Sequence, residues 1–291
     1  MTEEQLQEKR EKTQLVLSNI YNLPAVSAVM MEVSRLLDDP STNTSVLSEM
    51  IGKDQGLATK ILSIANSPLY GLPRKVSTID FAILIIGFQD IKNIVIALSM
   101  IESFKNKTDK NLDQKEFWLH SIITGNAAKR IAEDRGYRIG GEAFVGGLLH
   151  DLGIPVIHKY FHSNFENIVK NFTENGMTLL DAEIEELGYT HQDIGRFLAE
   201  KWNLPGHLCS AIQKHHTPSG AEEDDVLTSL IHVADYMTQK LDVGNFYLDN
   251  NYQVDEAALK NLKFESREKL DEFLEKYREL FHEEAESITY I

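Results

Sequence analysis

The residues in this chain whose types and spacing could do chemistry are histidines and aspartates on apolar stretches: His120, the adjacent His150-Asp151, His191, the adjacent His215-His216, and Asp235. A buried charge is costly unless it is paired or bound to metal. Asp151 follows Gly146-Gly147-Leu148-Leu149-His150, and Asp235 follows Leu230, Ile231, Val233 and Ala234, so both carboxylates need a partner. Imidazole with carboxylate and no thiolate suits Fe, Mn, Zn or Ni, in a mononuclear or dinuclear site. His150 and Asp151 project about 100° apart on a helix, which still lets both reach one ion off the helix end. An ion-free reading stands beside this one, because His-Asp hydrogen bonds neutralise the same groups without metal. Glu116 lies one turn before His120 and is either a further ligand or an exposed helix charge. His232, three residues before Asp235, is close enough on a helix to orient it. His158, His162 and His207 stand outside the pattern.

The elements that must position these residues are helices. Residues 3–20 form a polar helix, and Val26, Val29, Met30, Val33, Leu36 and Leu37 recur at helical spacing before Asp38-Asp39-Pro40-Ser41. Further apolar helices run near Val46 to Ile51, through Leu57 to Ala65, and from Ser77-Thr78-Ile79-Asp80, which has the spacing of a capping box, to Ile86. Ile91 to Met100 follows a break at Gly87-Phe88. Helices are predicted at 115–134, 141–151, 164–175, 178–187, 191–201, 205–215 and 226–240, and one closing helix places Leu270, Phe273, Leu274, Tyr277, Leu280 and Phe281 on one face. That face packs on the parent domain or joins a partner or a dimer mate. Strand-like alternation is absent, so the fold class is all-α.

Five of the ten residues from Lys105 to Gln114 are charged. This stretch divides the chain into an N-terminal half (1–108), a second helical half (109–245) and a tail (246–291). Residues 1–108 carry 11 Lys+Arg against 12 Asp+Glu, and the rest carries 18 against 33. The net charge of −16 argues against direct binding to nucleic acid, which rests on Lys and Arg. No apolar run approaches a membrane span, and the charged start of the chain lacks a signal region, so a cytoplasmic protein is expected. The single Cys209 excludes an intrachain disulfide.

The order H, HD, H, HH, D on helices resembles the HD superfamily of metal-dependent phosphohydrolases, and most closely its HDOD branch. Leu23-Pro24, Asp38-Asp39-Pro40, Ile51 to Leu62, Ile64-Ala65-Asn66-Ser67-Pro68, Tyr70-Gly71, Ser77-Thr78-Ile79 and Ala82 to Gly87 are similar to the N-terminal half of that domain. Phe117-Trp118-Leu119-His120, Gly146 to Gly153, Gly188-Tyr189-Thr190-His191, Ala199 to Pro205 and His215-His216 are similar to its C-terminal half. Such a multi-motif match, over roughly residues 20 to 240, is far more specific than a dipeptide.

The resemblance implies an all-α module of bacterial regulatory proteins, frequently without catalysis and often fused to receiver or nucleotide-signalling domains. The remaining residues hold no such domain, so a stand-alone module with a helical tail is expected. Protein partners in a signalling pathway, or a bound nucleotide or phosphoester, would then supply input and output. By the same resemblance His120, His150, Asp151 and Asp235 would hold a first ion. Asp151 would bridge to a second held by His191 and His215 or His216, and would be the candidate catalytic residue of an active relative.

Two departures from HD-GYP phosphodiesterases weigh against turnover. The lysine they carry after the HD-x-G segment is Ile154 here, followed by Pro155. A lysine there could neutralise phosphate charge in a hydrolytic transition state. The Gly-Tyr-Pro signature is also missing, and Glu222-Glu223-Asp224-Asp225 follows shortly after His215-His216. The expected function is therefore a non-catalytic HDOD regulatory module with a metal-binding HD-type site. The alternative is a metal-dependent phosphohydrolase or cyclic-nucleotide phosphodiesterase. Oxygen-dependent di-iron chemistry fits the ligand types but has no sequence feature of its own.

Overall fold

Polar caps interrupt the apolar stretches and cut them into helices. The computed structural model describes residues 2–20, 41–88, 109–202, 204–221, 225–248 and 253–288, together with positions 32, 33, 35, 36, 39, 90, 91, 94, 95 and 98. Among these residues there is no β-strand, only an isolated bridge between Asp109 and Leu112, so the expected all-α class is observed. The helices are α1 (Glu3–Ser18), α2 (Thr44–Ile51), α3 (Gln55–Ala65), α4 (Ile79–Ile86), α5 (Gln114–Asp134), α6 (Gly140–Leu149), α7 (Gly153–Tyr160) and α8 (His162–Glu174). They continue as α9 (Leu179–Leu187), α10 (His191–Lys201), α11 (Gly206–Lys214), α12 (Val226–Lys240), α13 (Glu256–Asn261), α14 (Arg267–Glu275) and α15 (Arg278–Ser287). Side chains of Asn43, Asp54, Asp113, Thr178, Thr190 and Asp225 accept first-turn N–H groups, which would otherwise lack partners.

The long α5 is the axis of the site-bearing part. It packs on α6 and α12, while α10 packs on α7 and α11. α5 and α6 touch backbone to backbone: a Cβ on Gly147 would lie 2.8 Å from Gly125 Cα and 2.9 Å from Thr124 O, so larger residues would push the helices apart. α2, α3 and α4 pack on one another. α1 docks on α9, where Thr13 Oγ1 donates to Leu187 O at 2.8 Å and Arg10 Nε to Gly188 O at 3.0 Å.

Several local expectations are corrected. The N-cap of α4 is Thr78, whose side chain accepts from Phe81 N; Asp80 Oδ2 instead accepts from Ser48 Oγ at 3.0 Å. Helix α6 stops at Leu149, before His150 and Asp151, because the chain turns there into α7, an element the periodicity did not mark. The closing helix is two helices broken at Lys276-Tyr277. Of the segment 26–37, only Glu32, Val33, Arg35 and Leu36 are described, and Val33 is buried. In the Ile91–Met100 stretch the described apolar positions Ile91, Ile94, Val95 and Leu98 are buried, at helical spacing. Leu23-Pro24, Lys105 to Thr108 and Glu222 to Asp224 lie outside the described residues.

The tail reaches the N-terminal helices through one buried carboxylate. Glu284 on α15 accepts from Ser67 Oγ at 2.8 Å, just before the turn Pro68–Tyr70, and from Asn126 Nδ2 on α5. Burial raises its carboxyl to about 7, against the two donors, which favour the charged form. A folded-state value above the ordinary 4.5 stabilises the fold below that pH and loses this contribution as pH rises through 7. Glu284→Gln, neutral throughout, should therefore gain on the wild type between pH 5 and pH 8, by roughly 2–3 kcal/mol in urea unfolding. A stability gap that does not change with pH would refute this.

Candidate metal centre

Asp151 stands between two sets of imidazoles. Its Oδ2 lies 3.3 Å from His150 Nε2 and 3.8 Å from His120 Nε2. Its Oδ1 lies 3.3 Å from His191 Nε2 and 3.4 Å from His215 Nε2. Asp235 closes the first side, with Oδ1 3.4 Å from His120 Nε2 and 3.8 Å from His150 Nε2. His216 joins the second side, where it, Asp151, His191 and His215 offer ligand atoms within 4.8 Å of one another. All seven sequence-selected residues thus meet in two adjoining clusters. Apart from the half-buried His216, their side chains are 0–2% exposed.

Each element delivers its residue for a local reason. The close Gly125–Gly147 crossing sets α5 and α6 side by side, so that His120 Nε2 and His150 Nε2 come within 3.3 Å. After α6 the chain turns at His150, and Gly153 opens α7 directly under the start of α10. A Cβ on Gly153 would fall 1.9 Å from His191 O, so only glycine lets His191 approach Asp151 this closely. His191 begins α10 behind the capping box of Thr190 and Asp193.

Hydrogen bonds at the far side of three of the rings fix their tautomers. His120 Nδ1 donates to Gly244 O at 3.0 Å, His150 Nδ1 to Gly147 O at 2.7 Å, and His215 Nδ1 to Ile212 O at 2.7 Å. A carbonyl only accepts, so the proton resides on Nδ1 and a neutral ring presents a lone pair from Nε2. With both rings neutral, two such lone pairs, from His120 and His150, would face each other at 3.3 Å, an arrangement that calls for a positive charge between them, whether a proton or a metal ion. His191 differs in its partner: Glu183, itself buried, accepts from His191 Nδ1 at 2.9 Å and from His191 N at 2.8 Å.

The titration pattern makes the same demand. Burial disfavours an imidazolium at His150, yet Asp151 and then Asp235 hold its value up at about 9. At His191 burial is likewise overcome, by Glu183 and Asp151, and the value reaches about 10. Burial would raise Asp151, but His150 in the first place, with His191 and His215, holds it well below the usual carboxylate range. Burial pushes His215 down, and pushes His216 further down with the help of His215 and His191. Positive charge is therefore favoured on each side of Asp151. Both Asp151 oxygens and His191 Nε2 are buried without a hydrogen-bond partner among the described residues. A nitrogen and oxygen donor set with tautomers locked from behind fits divalent metal on either side of Asp151.

Other sequence expectations resolve differently. Glu116 is exposed on the first turn of α5, outside both clusters. His232 does not orient Asp235; its Nδ1 donates to His215 O at 2.7 Å and its Nε2 accepts from Asp255 N at 2.8 Å, tying the His215 backbone to the tail. Burial depresses His232 to about 4, so it serves as a neutral strut. Ile154 is 1% exposed in the core. His207 pairs with Glu142 at the surface. Glu183 was missed, although it shares one α9 face with buried Leu179, Ala182 and Leu187 and carried the same signal, a carboxylate on an apolar stripe, that singled out Asp235.

With fold and geometry in hand, the chain is similar to known proteins along most of its length. The HDOD domain family matches residues 23–218, and the chain belongs to that family. A Geobacter sulfurreducens HDOD domain protein of unknown function superposes with a TM-score of 0.74 at 22% identity, covering 96% of this chain and 98% of the other. A putative phosphohydrolase from Shewanella amazonensis SB2B gives 0.72 at 23% identity, covering 94% and 97%. A putative signal transduction protein from Marinobacter aquaeolei VT8 gives 0.71 at 20%, covering 98% and 66%. An uncharacterized Treponema pallidum (strain Nichols) protein is 24% identical over 259 residues, 88% of this chain; the chain spans about half the length of that curated relative, 49%. Among the described residues no helix is long and apolar enough to cross a membrane.

Gly153→Ala should drive α7 from His191 and cost roughly 2–4 kcal/mol in urea unfolding. Gly206→Ala, whose added Cβ meets nothing within 4 Å, should cost little, and equal costs would contradict the close-approach role. Glu183→Gln keeps a hydrogen-bond acceptor behind His191 but removes the charge. It should weaken divalent-metal binding on the order of 10–100-fold, measured by competition with a chelating dye.

Proposed function

We propose that this chain is a bacterial regulatory module whose HD-type centre holds divalent metal to brace the fold for partner binding rather than to turn over a phosphoester. One observation carries the reading: Asp151 lies between two sets of imidazole Nε2 atoms, four of them 3.3–3.8 Å from its oxygens, and these side chains are almost wholly buried. The burial favours holding an ion, because a phosphoester must reach the ions to be attacked. Ile154 at the position of a catalytic relative's lysine points the same way.

His120, His150 and Asp235 would hold one ion and His191, His215 and His216 the other, with Asp151 bridging. Fe, Mn, Zn and Ni all suit these donors. Divalent ions held there would supply Lewis acidity and neutralise the buried carboxylates. Glu183 orients His191, while Gly147, Ile212 and Gly244 carbonyls keep the other rings turned inward. Gly244 lies in the segment just after α12 and Asp255 in the tail, so His120 ties the centre to that segment and His232, by way of the His215 backbone, ties it to the tail. A partner that engages the tail would then read whether metal is bound.

The second reading, a metal-dependent phosphohydrolase or cyclic-nucleotide phosphodiesterase, is favoured by the completeness of the ligand set. One experiment separates them. Protein purified from Fe- and Mn-supplemented cells should carry about two ions per chain and unfold at lower temperature once chelated. Its hydrolysis of phosphoesters, including cyclic dinucleotides, should not exceed that of Asp151→Ala. Metal-dependent turnover that Asp151→Ala loses while still folded would overturn the regulatory reading, and metal-free protein would overturn both.

A further inference from the structure

A third His and Asp cluster lies outside the centre, on the opposite end of α7. Asp109 Oδ2 is 2.8 Å from His158 Nε2 and 3.7 Å from His162 Nε2, and the three ligand atoms lie within 4.8 Å of one another. We propose that Asp109, His158 and His162 form a separate, solvent-accessible site for a divalent cation of the Zn2+, Ni2+ or Cu2+ kind.

The backbone prepares each donor. His158 and His162 are four residues apart across the α7–α8 junction, so their rings meet on one side, with centroids 5.1 Å apart. His162 Nδ1 lies 3.3 Å from His158 O, which only accepts, so in the neutral ring the proton sits on Nδ1 and the Nε2 lone pair faces the Asp109 carboxylate. Two acceptors face each other there, and a cation reconciles them. Asp109 is aimed from behind: its Oδ1 accepts from Asn111 N at 2.8 Å and Leu112 N at 3.0 Å, leaving Oδ2 for the histidines. Burial works against ionisation of Asp109, but the His158 and Asn111 contacts outweigh it and hold the carboxyl below its usual value. The side chains of Asp109 and His162 are 30% and 50% exposed, so an ion can enter and water can complete its shell. Imidazole and carboxylate with open positions suit borderline ions rather than Ca2+ or Mg2+, which prefer oxygen. Binding would replace the proton that His158 shares with Asp109 and would pin the Asp109–Leu112 turn, which leads into α5, to the α7–α8 junction.

Equilibrium dialysis of the full chain against Zn2+, after chelation, tests the proposal without relying on the Asp151 centre. The wild type should bind one more Zn2+ than His162→Ala or Asp109→Asn, or bind that equivalent at least tenfold more tightly. Both positions are partly exposed, and Asn at 109 can still accept the turn hydrogen bonds. Melting in chelator, expected to be unchanged in the variants, separates ligand loss from unfolding. If the Asp151 centre binds nothing, the wild type should still hold the one ion that both variants lose. Equal Zn2+ stoichiometry and affinity in the wild type and both folded variants would overturn the proposal.

Discussion

The arrangement depends on the cost of keeping the Asp151 carboxylate out of water. A carboxylate in a low-dielectric interior is tolerated only when opposite charge or oriented donors surround it. Asp151 meets this constraint with histidines on both of its oxygens. Asp235 and Glu183 add further negative charge to the same buried region, which strengthens the call for cations. Helices α5, α6, α7, α10, α11 and α12 pack so that its partners meet around this one group.

Close backbone approach is what permits the satisfaction. The Gly125–Gly147 contact and the seat of His191 over Gly153 remove the bulk that would hold the imidazoles apart. Carbonyls behind His120, His150 and His215 then turn each Nε2 inward, so the donors are set before any ion arrives. His191 stands apart because a carboxylate, Glu183, rather than a carbonyl backs its Nδ1.

Among the described residues, hydrogen bonds tie the centre to the segments that follow α12. His232 joins the His215 backbone to Asp255, Gly244 meets His120, and Glu284 joins the last helix to Ser67 and Asn126. From His215, in contact with Asp151, hydrogen bonds run through the backbone and His232 to Asp255 in the tail, and the tail in turn touches the turn beside α3 through Glu284. Ile154 is buried in the core, where a lysine would need its own compensation.

Local pattern determined the all-α class and the principal helices and marked Asp151 and Asp235, since helical periodicity, caps and carboxylates on apolar stripes are legible within one turn of chain; which histidines accompany them was read from the order that resembles the HD superfamily. The resemblance to the HDOD family was carried by motifs that the family match also spans. The tertiary structure alone decided that α6 ends before His150, that α7 exists, and that His232 serves the His215 backbone rather than Asp235, because these follow from contacts between segments distant in sequence. The role of Glu183 and the meeting of Asp109 with His158 and His162 belong with them. Spacing along a chain specifies which face a side chain shares, whereas the partner that face meets is set by how whole helices pack.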